Sequence, residues 1–200
     1  MVSDADGIAQ WVREADPERF LGSLFAREPV LSHLLALAAF NLEFEKIAVV
    51  TREAAAGAIR LQWWRDVIEE IYAGAVRAHP VAQALAETVD LHELPRAPFD
   101  ALIDAREFDV SPEAMPDWEA FDAYADATAG ALLRLGAQIC DVAVADDDPF
   151  VVAAGRAQAL CGHLRVIRAG APACKSFFPD AGEAAADRAA AAIRSAREAW

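Results

Sequence analysis

The sequence predicts an all-α protein, a bundle of helices, and three observations carry that prediction. Alanine dominates the composition while Val, Ile and Thr are far fewer, which favours helix over strand. Apolar residues recur at steps of three and four in segment after segment, and no stretch alternates convincingly with period two. The prolines, from Pro17 to Pro179, divide the chain into pieces of helix length.

The elements follow in chain order. Pro17 stands behind Asp16, a helix-start signature. After Pro29 the positions Val30, Leu34, Leu37, Phe44 and Ala48 form a stripe, and Leu31 and Leu35 widen it until the helix should be nearly central. From Arg52 the stripe is Leu61, Trp64, Ile68, Ile71 and Ala75, with Arg65 and Glu69 four apart on the other side and expected to pair weakly. Asp117 to Val144 reads as one long helix carrying Phe121, Tyr124, Leu132, Leu135 and Ile139. Phe150 to Ala169 reads as another, and Ala181 to Trp200 as the beginning of a last one. The connections, Pro95 to Pro98, Ser111 to Pro116 and Asp146 to Pro149, are as short as helix connections in a bundle should be. A single domain over 1–200 is the expectation.

With 56% apolar and 25% charged residues, 200 residues can build a core. The net charge of −14 and a pI near 4.6 oppose nucleic acid and anionic lipid at long range and favour solubility. Cys140, Cys161 and Cys174 have no C-x-x-C spacing and read as reduced, buried thiols in a cytosolic setting. The start of the chain shows no signal peptide. The most apolar stretch, Val30 to Phe40, falls short of the roughly 20 residues that a membrane span requires. The expected location is cytoplasmic, with peripheral contact at the inner membrane left open.

Common catalytic signatures are absent. His33, His79, His92 and His163 are scattered and form no metal motif, and there is no nucleophile elbow, P-loop or dinucleotide fingerprint. His33 and His163 read as satisfied core residues. Asp146, Asp147 and Asp148 precede Pro149 and are explained by helix capping. The informative segment is Arg60-Leu61-Gln62-Trp63-Trp64-Arg65-Asp66. Adjacent helical residues point ~100° apart, so Trp63 and Trp64 cannot both enter one core. One must face another helix or a pocket edge. Arg60 and Arg65 beside them would suit an anion, or stacking on a planar or polyene surface. Alternatively both rings wedge between helices and the arginines make salt bridges.

Several phrases in order resemble the squalene/phytoene synthase superfamily. They are Ala39-Phe40-Asn41, Gly57 through Asp66, His79-Pro80-Val81 and Leu102-Ile103-Asp104-Ala105-Arg106-Glu107-Phe108-Asp109, then Tyr124 with Thr128-Ala129-Gly130, and Gly155 through Arg165. The resemblance runs from about Arg19 to Pro179. It implies an isoprenoid-synthase-like helical bundle around a central cavity, expected to lack the family's last helices. It also implies condensation of allylic diphosphates in active members.

That chemistry needs Mg²⁺ to neutralise the leaving diphosphate, held by carboxylates one helical turn apart. The resemblance places these positions at Glu45 and Val49, then at Val166 and Gly170, so one carboxylate of four remains, and Gly162 stands where the family has Asn. The metal cluster as the family uses it cannot form from these residues. The variant phrases resemble a branch that includes a mitochondrial complex I assembly factor and its bacterial relatives. The start at Met1, without an Arg-rich leader, suits a bacterial member.

The expectation is therefore a binding or assembly protein without prenyltransferase activity or cofactor, meeting respiratory-complex subunits or an isoprenoid-like ligand, with oligomerisation open. The alternative is an active Mg²⁺-dependent prenyltransferase using Glu45, Asp66 and Arg165. A third reading is a ligand-free scaffold. Candidate pocket residues are Asn41, Glu45, Arg60, Trp63, Trp64, Arg65, Tyr124, Arg165 and Arg168.

Overall fold

A computed structural model describes residues 4–50, 54–168, 177–179 and 184–200. Every regular element among them is helical: α1 Asp4–Ala15, α2 Pro17–Ser23, α3 Val30–Val50, α4 Ala54–Tyr72, α5 Pro80–His92, α6 Ala97–Val110, α7 Trp118–Ala125, a π-helical turn Asp126–Gly130, α8 Ala131–Ile139, α9 Pro149–Arg168 and α10 Ala185–Ala199. The chain divides into two compact units, 1–110 with 135–143, and 111–134 with 144–200.

In the first unit α3 is the central helix, as its broad stripe predicts. From Leu35 to Leu42 every side chain is buried, and α1, α2, α4, α5 and α6 all pack on it. The caps follow local chemistry. Asp16 Oδ1 accepts the Arg19 N–H at 3.1 Å with Pro17 in the first turn of α2. The stripe of α4 buries Leu61, Trp64, Ile68 and Ile71 but stops before Ala75, which is exposed. Gly74, at φ 79, takes the left-handed position that ends a helix, so no turn remains to carry Ala75 inward. Cys140 is exposed rather than buried, Cys161 is half-buried, and Cys174 lies outside the described residues.

The expected long helix over Asp117 to Val144 runs from Trp118 to Ile139 and is interrupted by the π-helical turn, which belongs to the second unit. That turn lies against α9, where a Cβ on Gly155 would come within 2.9 Å of Gly130 Cα and N. Only two glycines permit so close a backbone approach. Asp148 Oδ1 accepts the N–H groups of Phe150 and Val151 at 3.0 and 3.1 Å, the capping role expected of the acidic run.

Candidate functional site

The candidate site of the first unit rests on α3 and α6. Arg106 and Asp109 stand three apart on α6 and pair at 2.9 Å, their side chains only 11% and 5% exposed. A buried guanidinium is tolerated only when its charge and donors are matched. Arg106 Nη2 also donates to Asn41 Oδ1 at 2.7 Å. Since a guanidinium only donates, the Asn41 amide must turn its oxygen toward it. Its Nδ2 is left to donate to Glu45 Oε1, one turn along α3, at 2.8 Å. A directional chain thus runs Asp109–Arg106–Asn41–Glu45, from the buried interior of α6 to an exposed carboxylate. Asn41 and Glu45 are among the pocket candidates that the sequence offers. Arg106 and Asp109 were not singled out as site residues, and the signal available was their i, i+3 spacing beside the apolar Leu102 and Ile103.

This arrangement does not fit the family's metal cluster. Glu45 is committed on one oxygen to an amide, and positions 49 and 166 are valines that cannot ligate Mg²⁺. The side chains of Val49, Val166 and Arg168, and all of Gly170, lie outside the described residues. Among the described residues no group of three or more His, Cys, Asp or Glu is disposed to hold a metal ion.

The tryptophan pair divides as helical geometry demands. Trp64 is 2% exposed and meets Phe40 and Phe44 at centroid distances of 5.3 and 5.9 Å. Trp63 is half-buried, edge-on to Trp64 at 4.9 Å and to His79 at 5.3 Å. Its cationic neighbour is Arg77, with the guanidinium carbon 5.4 Å from the ring centroid, a residue that sequence reasoning missed. Arg77 is fixed by two 2.7 Å bonds to Glu70, whose carboxyl this contact holds below its ordinary range. Arg60 is exposed and has no ion pair among the described residues. Arg65 does not pair with Glu69 but reaches Asp104 at 2.7 Å and Glu107 at 2.8 Å on α6. The reason is reach across a helix contact: two acids on the facing helix outbid one on its own. Asp66 accepts from Gln62 at 2.8 Å, with Arg77 3.8 Å away.

His33 is buried but not alone. Its Nδ1 lies 2.9 Å from His92 Nε2, joining the first turn of α3 to the last residue of α5. Burial pushes the His33 pKa down, and His92 pushes it further, against Glu87 and Glu28.

In the second unit Tyr124 is buried, 5.8 Å from the His163 ring, and Arg165 on α9 is exposed. The same unit holds a carboxylate pair one helical turn apart, Asp122 and Asp126. Arginines occupy it: Arg156 reaches Asp126 at 2.7 Å and Asp122 at 3.1 Å, and Arg188 reaches Asp122 at 3.2 Å. These contacts hold Arg156 above its ordinary range, the bond to Asp126 foremost. The pair is therefore a structural clasp between helices.

Assembly factor 6 of NADH dehydrogenase (ubiquinone) complex I from Homo sapiens is 29% identical over 187 residues, covering 89% of this chain and 56% of that protein. The Bos taurus protein of the same name is 30% identical over 154 residues, covering 77% and 46%. This chain thus spans about half the length of the curated relatives it matches. Squalene synthase HpnC from Alicyclobacillus acidocaldarius shares the fold, with a TM-score of 0.80 at 18% identity over 98% of this chain and 82% of that one. A dehydrosqualene synthase solved with a ligand gives 0.75 at 13% identity, covering 98% and 76%. At such identities these two show an isoprenoid-synthase-like helical fold, and no more. The sequence profile of squalene/phytoene synthase matches residues 12–181, and with the helical fold and the ordered phrases around Trp63 and Arg106 this chain belongs to the squalene/phytoene synthase family.

Proposed function

We propose that this chain is a family member without prenyl transfer, acting as a binding or assembly protein in the manner of complex I assembly factor 6. The observation that carries the reading is Glu45. It occupies the first metal position implied by the family, but an amide locked by Arg106 holds it, and a valine follows one turn later. A diphosphate cannot leave without a neutralising cation, and one carboxylate does not assemble the metal cluster that would supply it. The relatives named as assembly factors support the second half of the reading. The partners would be respiratory-complex subunits, and the location cytoplasmic, at or near the inner membrane. Among the described residues no helix is long and apolar enough to cross a membrane.

Two measurements test this. Purified protein with Mg²⁺ and farnesyl or geranylgeranyl diphosphate should release no diphosphate above a boiled control. Release abolished by Glu45→Gln would overturn the non-catalytic half. Deletion of the gene should deplete assembled complex I on native gels, and undiminished complex I would overturn the assembly half.

A further inference from the structure

Nine large apolar side chains are exposed among the described residues, and four of them, Leu24, Phe25, Leu91 and Val142, lie on segments that hydrogen bonds join at one end of the first unit, with Leu21 on the helix just before them. Hydrogen bonds between these segments define that end. The turn holding Leu24 and Phe25 runs directly into α3, where Leu31 N–H donates to Arg27 O at 3.1 Å. His33, one turn on, meets His92 at the end of α5, next to Leu91. Gln138 of α8, four residues before Val142, donates to the carbonyls of His92 and Glu93 at 3.0 and 3.2 Å. Phe25 is 94% exposed, an arrangement that costs solvation and is rarely kept without use.

The charges around these side chains are one-sided. Across 20–28, 87–93 and 136–142 there is one arginine, Arg27, against Glu28, Glu87, Asp90, Glu93 and Asp141, all exposed. Two copies of this face would bring like charges together, and an anionic bilayer would be repelled in the same way. A cationic partner gains on both counts, burying apolar area while pairing with the acidic rim. We propose that this end of the unit is a docking surface for a basic amphipathic segment of another protein, with Phe25 as its central anchor. The surface shares no residue with the Glu45 network and does not depend on the assembly reading.

The test uses the full chain and two labelled helical peptides of about five turns, one of Leu and Lys and one of Leu and Glu, followed by fluorescence anisotropy. The Leu/Lys peptide should bind and the Leu/Glu peptide should not. Phe25→Ser should weaken binding about tenfold, the loss of one buried aromatic anchor. Asp90→Lys with Glu93→Lys should weaken it further. Ile193→Ser, an exposed apolar residue of the second unit, should leave it unchanged. The proposal is overturned if the Leu/Lys peptide does not bind, or if Phe25→Ser has no more effect than Ile193→Ser. It is also overturned by co-sedimentation with phosphatidylcholine/phosphatidylglycerol vesicles that Phe25→Ser abolishes, or by a dimer that the same substitution dissociates.

Discussion

Removing Asp109 should cost far more than removing Asp109 and Arg106 together. Asp109 is 5% exposed and Arg106 11% exposed, so truncating either one takes an ionic partner from a charge in the interior of the first unit. Breaking a buried pair from one side typically costs about 3–5 kcal/mol, whereas replacing both partners with apolar residues of similar volume is often close to neutral. Asp109→Leu and Arg106→Met should each fall in that range. The double substitution should cost about 1 kcal/mol, because the Asn41 oxygen, which Arg106 meets at 2.7 Å, then loses its donor. The resulting coupling energy, the two single effects less the double, is about 5 kcal/mol or more. Urea unfolding followed by far-UV circular dichroism, with all four proteins compared at matched m-values, measures it. Single effects that simply add, leaving a coupling below about 0.5 kcal/mol, would refute the claim that the network is one buried electrostatic unit.

Three further outcomes are expected. Gly155→Ala should destabilise by about 1–3 kcal/mol, because its Cβ would meet Gly130 backbone at 2.9 Å, whereas Gly162→Ala, with open space around it, should be neutral or stabilising, and melting temperatures distinguish the two. His33 has its folded pKa lowered from 6.5, so the unfolded chain takes up the proton first. Stability should therefore fall as pH drops through about 6.5 toward the lower folded value, and His33→Leu should flatten that slope in denaturant titrations at successive pH values. Tyr72, which donates to Leu94 O at 2.7 Å, has its pKa pushed up to about 12, chiefly by burial and then by Asp100. Its stabilisation should be present at neutral pH and lost as pH rises from about 10 toward that value, with Tyr72→Phe removing the corresponding phenolate absorbance in an alkaline titration.

The sequence by itself determined what depends on short range. Helical periodicity, proline punctuation and acidic caps need only a few neighbouring residues, so the class, most helix boundaries, the central position of α3, the inward Trp64 and the capping role of Asp148 were all legible. That Val49, Val166 and Gly170 stand where the family resemblance implies carboxylates is equally a matter of sequence. Tertiary structure alone decided who meets whom. Arg65 chose acids 39 and 42 residues away over Glu69, and Arg106 reached Asn41 across 65 residues. His33 found His92, and Gly155 found Gly130. A long side chain or a bare backbone offers itself to whichever element lies within reach. That choice is made by the packing of the helices, and no local period records it.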